Sequence, residues 1–186
     1  MKSKKKYLRI AEDIFLLRCA IPNNIFEALK EDCRSKKKTS KTAISDTAPS
    51  YSSQLSPIGE TAARFMQSEI VLEQAYELAK QPLFLNKRSS CYTYYKAGDH
   101  LDFHKDDAKE CEITATVCLT AISPHRSQTD TGLKIIFQTS NGPVYIPTHA
   151  QDILLFKGSS ISHARPPLRK SEQVTLITAC YTTKRI

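Results

Sequence analysis

With 186 residues, 40% of them hydrophobic and 25% charged, the chain has the size and composition of one soluble globular domain and is too short for two full ones. No run reaches the roughly 18 apolar residues of a membrane span. The basic start "MKSKKKYLRI" leads into acids and an arginine rather than an unbroken apolar stretch, a poor signal peptide, so a cytoplasmic protein with no membrane partner is expected.

In chain order, residues 13 to 19 ("DIFLLRC") read as a first strand. "IPNNIFEALKEDCRSKKK" then has the proline and apolar spacing of a helix that Asn23 or Asn24 would cap. Residues 35 to 57, rich in Ser, Thr and Lys, read as a long mobile or functional loop. "PIGETAARFMQSEIVLEQAYELAKQP" places Ala62, Phe65, Met66, Ile70, Leu72, Ala75, Leu78 and Ala79 at helical spacing, which predicts an amphipathic helix packed on a sheet and ending before Pro82. Beyond it the period changes. "SCYTYYKAG", "EITATVCLTAI", "GLKIIFQTS", "PVYIPT", "DILLFKG" and "QVTLITACYTT" are strand-like runs broken by Gly, Pro, Asn and Asp. Helices first and strands afterwards predict an α+β domain over 1–186, in which a helical N-terminal support (1–90) packs against a largely antiparallel sheet or barrel (91–186).

The net charge of +8 gathers largely in Lys2 to Lys6 and Arg34 to Lys41. Such clusters on tails and loops read as solubilising charge, with a polyanionic partner as the alternative. The six cysteines, Cys19, Cys33, Cys91, Cys111, Cys118 and Cys180, form no CxxC pair, a pattern that predicts buried free thiols in a reducing compartment.

The stretch "YYKAGDHLDFHKDD" carries the chemistry. Gly98 after Tyr95 bends the chain, and His104 and Asp106, two apart on an extended segment, share a face and can take adjacent positions on one metal ion. A third ligand must come from elsewhere, and His163, after the strand "DILLFKG", is the candidate. Two histidines and a carboxylate on one face of an octahedron suit a non-haem Fe(II) that keeps open positions, while zinc remains possible by ligand type.

Tyr95, Gly98, His104 and Asp106, followed by "GLKIIF", "VYIP", "QDILLFKG" and His163, resemble the Fe(II)- and 2-oxoglutarate-dependent oxygenases, in particular the prolyl 4-hydroxylase-like branch. The step of nine residues from Tyr95 to His104 matches that pattern, and the resemblance covers about residues 91 to 181. It implies a double-stranded β-helix (jelly-roll) fold with iron held by His104, Asp106 and His163 and with Tyr95 lining the cosubstrate pocket. It also implies 2-oxoglutarate and O2 as cosubstrates, supportive ascorbate, and release of succinate and CO2 as a C–H bond is hydroxylated.

Two departures stand out. Leu101 lies where that branch often has an aromatic residue near substrate, so a prolyl substrate is not implied. The family usually places Arg or Lys about ten residues after the distal histidine to clamp the far carboxylate of 2-oxoglutarate, and here that position is Gln173. Arg165, Arg169 and Lys170 stand nearby. Arg169 is the first choice for the clamp on geometric grounds, then Lys170, with Gln173 or a hydroxyl from Thr175 as neutral contributors. Asp99 and Asp102 read as solvated loop charges, and Asp107 as a partner behind the ligands or an alternative ligand. His100, His125 and His149 receive no role.

The substrate is open: an amino acid, a peptide or protein side chain, or a small metabolite. The 35–57 segment could act as a lid, and Lys36, Lys37, Lys38 and Lys41 would then favour an acidic substrate. Nucleic-acid demethylation within the same superfamily, and a non-catalytic metal- or partner-binding jelly roll, are the alternatives.

Overall fold

The computed structural model describes residues 7–124 and 131–184. The expected basic cluster at Lys2–Lys6 and the turn around His125 lie outside the described residues. The elements in chain order are β1 (Tyr7–Ala11), β2 (Ile14–Leu17), α1 (Asn23–Lys37), β3 (Lys41–Ser45), β4 (Tyr51–Pro57), α2 (Glu60–Met66), α3 (Glu69–Ala79), β5 (Phe84–Tyr95) and β6 (His100–His104). They continue with β7 (Ile113–Ile122), β8 (Lys134–Thr139), β9 (Gly142–Pro147), β10 (Ile153–Phe156), β11 (Ser162–Arg165) and β12 (Gln173–Thr182).

Period-two alternation divides the central strands between two environments. On β7, Ile113, Ala115, Val117 and Leu119 face the helices, while Thr114, Thr116 and Cys118 face inward. On β12, Ile177, Ala179 and Tyr181 pack with the helices, and Leu176, Thr178 and Cys180 face inward. β5 follows the same rule, with Tyr92 and Tyr94 toward the helices and Cys91, Thr93 and Tyr95 inside. Both faces are covered, so these strands read as nearly continuous buried runs. Phe26, Leu29, Phe65, Met66, Val71, Ala75 and Leu78 of the three helices complete the outer core.

All pairings are antiparallel, in the order β1-β2-β10-β7-β12-β5-β4-β6-β11-β8-β9, with β3 on β4. β4 pairs with β5 through Gln54–Pro57 and with β6 through Tyr51 and Ser52, so the sheet turns there and folds back on itself. Ile14, Leu16, Leu154 and Phe156 from one wall then meet Ile135, Phe137 and Ile146 from the other. The result is a curled antiparallel double-stranded β-helix with helices on one side, the fold that the resemblance implies and that the order of elements, helices before strands, anticipates as an antiparallel sheet or barrel.

Several local expectations are corrected. Residues 35–57 are not a loop: they contain the end of α1, β3 and β4, and β4 joins the two walls. Its Ser- and Gln-rich composition masked a strand whose partners supply the order. Lys36 and Lys37 end α1, where positive charge complements the helix dipole, and Lys41 begins β3. Neither Asn23 nor Asn24 caps α1; Pro22 takes the cap position, and the Asn23 side chain accepts a hydrogen bond from Gln151 instead. The long amphipathic helix is two helices, broken at Gln67 and Ser68, and the first strand is preceded by β1. Cys111 and Cys180 form a disulfide, with Cα atoms 4.6 Å apart, whereas Cys19, Cys33, Cys91 and Cys118 are free. The β7–β12 pairing brings together residues 69 apart in sequence, a proximity that spacing alone does not reveal.

Candidate metal centre

β6 and β11 are neighbours, with His104 opposite His163. That register brings the two imidazoles together, tilted by 52° with centroids 4.2 Å apart. Asp106, two residues past His104, returns its carboxylate between them: Oδ1 is 3.3 Å from His104 Nε2 and 3.7 Å from His163 Nε2. One donor atom from each residue lies within 4.8 Å of the others, and among the described residues no other His, Cys, Asp or Glu trio has such spacing.

The remaining donor atoms are committed elsewhere. His104 Nδ1 lies 2.9 Å from the Asp102 carbonyl, and His163 Nδ1 3.1 Å from the Ile161 carbonyl. A carbonyl only accepts, so in the neutral rings Nδ1 carries the hydrogen and Nε2 turns its lone pair toward the gap. The Asp106 backbone N–H donates to the Gly158 carbonyl at 3.0 Å, and the Thr114 hydroxyl donates to Asp106 Oδ2. Oδ1 is thereby left for the gap. Gly158 is sterically required, because a Cβ there would sit 2.0 Å from Asp106 Oδ2 and 2.2 Å from Thr114 Oγ1.

Burial opposes charge at all three positions. At His104 burial is outweighed by the hydrogen bonds to Asp106 and the Asp102 carbonyl, and its pKa rises above the ordinary 6.5. Burial likewise pushes the Asp106 carboxyl up, but His104, His163 and Thr114 together hold it below 3.8. His163 is pushed down by burial, only partly offset by Asp106. Without a metal, Asp106 thus favours the protonated form of His104, so a proton and a divalent cation would compete for the same Nε2. Two neutral imidazole nitrogens and one carboxylate oxygen fit a mononuclear ferrous ion, and equally accept zinc by donor type. The rings of Phe156 (4.7 Å) and Phe137 (6.1 Å) wall His163.

The trio borders a cavity of about 370 Å³ whose lining includes Tyr51, Leu55, Tyr95, Leu101, Thr116 and Leu176. Gly98 turns the chain with φ of 87° and leads from β5 into β6, which explains the bend between Tyr95 and the first histidine. Arg165, two residues past His163 on β11, also lines this cavity. It is 3% exposed, and its guanidinium carbon lies 5.1 Å from the centroid of the Tyr95 ring. Burial pushes the Tyr95 hydroxyl up to about 12 against the pull of that charge.

The structure thus brings His104, Asp106, His163 and Tyr95 to one cavity. It does not bring the other expected residues there. Arg169 and Lys170 are exposed. Gln173 and Thr175 line a separate depression with Lys37 and Tyr94 on the helix side of β12, because the inward positions of that strand belong to Leu176, Thr178 and Cys180. Lys36, Lys37, Lys38 and Lys41 are not among the cavity's lining residues, which removes the basis for a lysine-bearing lid. Asp107 is exposed and accepts from the Lys109 amide, outside the trio. Asp99 is buried rather than solvated, accepting from Ser52 Oγ at 2.6 Å and the Lys96 amide at 2.9 Å. Asp102 is exposed, His100 pairs with Ser50, and His149 borders a small cavity apart from the trio. Sequence reasoning passed over Thr114 and Gly158, for which no local pattern exists. It named Arg165 only as a neighbour, although the rule that residues two apart share a face, applied to His163, selects it.

No protein-family model and no curated protein matches the sequence. Solved structures do match in fold. A prolyl-4-hydroxylase from Pseudomonas putida superposes with a TM-score of 0.69 at 12% identity, covering 93% of this chain and 94% of that one. HygX from Streptomyces hygroscopicus, solved with nickel and 2-oxoglutarate, gives 0.68 at 12% identity over 93% and 85%. SnoN, a non-haem α-ketoglutarate-dependent epimerase from nogalamycin biosynthesis, gives 0.73 at 13% identity over 92% and 79%. At such identities the likeness is one of fold: the chain has the double-stranded β-helix of the 2-oxoglutarate- and Fe(II)-dependent oxygenases.

Proposed function

We propose that the protein is a mononuclear non-haem iron oxygenase that uses 2-oxoglutarate and O2 to hydroxylate a C–H bond of a small-molecule or peptide substrate, releasing succinate and CO2. The observation that carries this reading is the convergence of two Nε2 lone pairs and one carboxylate oxygen on a single gap at the cavity wall, with every other donor atom of the trio tied to the protein. A ferrous ion held there, with an oxoacid beside it, would supply oxygen activation and C–H oxidation.

The protein's share is positioning and exclusion of water. His104, His163 and Asp106 Oδ1 would hold the metal, with the Thr114 hydroxyl fixing Oδ2 and the Gly158 carbonyl fixing the Asp106 backbone. Phe137 and Phe156 shield the His163 side. Tyr51, Leu55 and Leu101 offer a largely neutral surface, which favours an uncharged reacting portion of the substrate over an acidic one. The described basic cluster from Arg34 to Lys41, which would serve a nucleic-acid substrate, is not part of that lining.

The test is anaerobic addition of Fe(II) and 2-oxoglutarate, which should produce a weak visible charge-transfer band, followed by succinate release on admitting O2. His104→Ala should abolish both. A wild-type protein that binds Fe(II) but shows neither band nor succinate would rule the reading out, and tighter binding of zinc with no oxoacid uptake would point to a non-catalytic metal site.

A further inference from the structure

We infer that Arg165 is the carboxylate anchor of this site, holding the far end of a dicarboxylic oxoacid from strand β11 rather than from the final strand. The inference rests on the oxoacid-dependent reading above and names the residue that would select the acid.

Arg165 is buried to 3% exposure yet Nη1 has no hydrogen-bond partner, while Nη2 makes a 3.4 Å contact to Thr148 Oγ1. A buried guanidinium without a carboxylate is costly, because desolvation is not repaid by an opposite charge. The cavity lining among the described residues contains one carboxylate, Asp106, and its oxygens face His104, His163 and Thr114. Besides Thr148 and Tyr95, both neutral, Arg165 thus has no anionic partner in the described cavity lining, and an anion that enters this cavity would supply one. Its head is also pre-positioned, stacked on Tyr95, so little side-chain freedom is lost when an anion binds.

The placement suits a molecule that bridges metal and guanidinium. Two residues along a strand span about 6.7 Å, so the Arg165 and His163 backbones stand about as far apart as the two ends of a five-carbon dicarboxylate. Thr116, Leu176 and Tyr95 line the same cavity, and Arg165 is the one Lys or Arg in its described lining. The alternative anchors fail on placement. Arg169 and Lys170 are exposed, and Gln173 and Thr175 face away from this cavity. The anchoring charge has moved from β12 to β11, two residues from a proposed metal ligand.

The test compares two oxoacids on the Ni(II)-loaded protein by calorimetric titration: 2-oxoglutarate, and 2-oxobutyrate, which keeps the chelating end and lacks the far carboxylate. Wild type should prefer 2-oxoglutarate by about 10- to 100-fold, the worth of a charge-assisted bidentate contact. Arg165→Gln should remove that preference while leaving Ni(II) and 2-oxobutyrate affinities in place, and an Arg169→Gln/Lys170→Gln double variant should keep it. If Arg165→Gln does not fold, Arg165→Lys decides: retaining charge but losing the planar fork, it should narrow the preference several-fold. Equal wild-type affinity for the two acids, an undiminished preference in the Arg165 variants, or its loss in the double variant would overturn the assignment. Ni(II) binding with no affinity for either acid would instead overturn the oxoacid reading and this inference with it.

Discussion

At Asp106 the candidate metal site depends on residues outside the trio itself. Asp106 Oδ1 faces both histidines, while the Thr114 hydroxyl holds Oδ2 and the Gly158 carbonyl holds the Asp106 backbone N–H. Partners behind a ligand typically contribute 10- to 100-fold to metal affinity. Thr114→Val, nearly isosteric, is accordingly expected to weaken Ni(II) or Co(II) binding by about that factor while leaving the fold intact, as titration and circular dichroism together would show. Gly158→Ala should weaken it at least as much, since the added carbon would overlap the same carboxylate oxygen. Unchanged affinity in both would mean the carboxylate orientation does not depend on these neighbours. The donor types and the His104–Asp106 spacing are legible in the sequence because one strand-local rule covers them. Thr114 and Gly158 are not, since each meets Asp106 only through chain folding.

At the scale of elements, β4 carries the largest difference between expectation and structure. A Ser-rich segment with few large apolar residues gives no period-two signal, yet β4 binds β5 and β6 and places Tyr51, Ser53 and Leu55 on the cavity. The strand exists because its neighbours offer unpaired backbone groups, which propensity does not register. One α1 side chain links three elements: Asp32 accepts from the Tyr92 hydroxyl at 2.9 Å and from the Ala62 amide at 3.1 Å, joining α1, β5 and the first turn of α2. Gly59 leaves room for that carboxylate, because a Cβ there would lie 1.9 Å from Asp32 Oδ1. Losing the acceptor strands both donors, so Asp32→Ala should destabilise the protein by about 1–3 kcal/mol. For a chain of this size that lowers the melting temperature by about 2–4 °C per kcal/mol. Ni(II) affinity should stay as in wild type, because Asp32 does not border the cavity.

For the molecule as a whole, the two walls meet around a gap that a cation would clamp. Metal at about 100 times its dissociation constant stabilises the folded state by about 2.7 kcal/mol, and the melting temperature should rise accordingly and fall back on chelation. The sign of the pH dependence follows from His104, whose pKa in the metal-free fold is raised. The stability this residue lends the metal-free protein is present below 6.5 and is lost as pH rises through its raised value. Metal binding needs the same nitrogen unprotonated, so the metal-induced increment should grow from pH 6 to pH 8. Asp106, held below 3.8, stays ionised across that window, and His163, pushed below 6.5, competes less for protons. Thermal melts with and without Ni(II) at the two pH values would measure it, and an increment that shrinks toward pH 8 would contradict the proton competition.

The sequence by itself carried the helices-then-strands order and the short His104–Asp106 spacing, because periodicity and spacing are local properties, while His163 and Tyr95 were expected at the site through the family resemblance. Tertiary structure alone decided that β4 closes the turn between the walls, that Cys111 meets Cys180, and that Arg165 rather than Arg169 or Lys170 faces inward. Each of those depends on register between strands distant in the chain. A shift of one residue in that register exchanges the inward and outward faces of a strand, and local composition carries no record of which register the long-range contacts select.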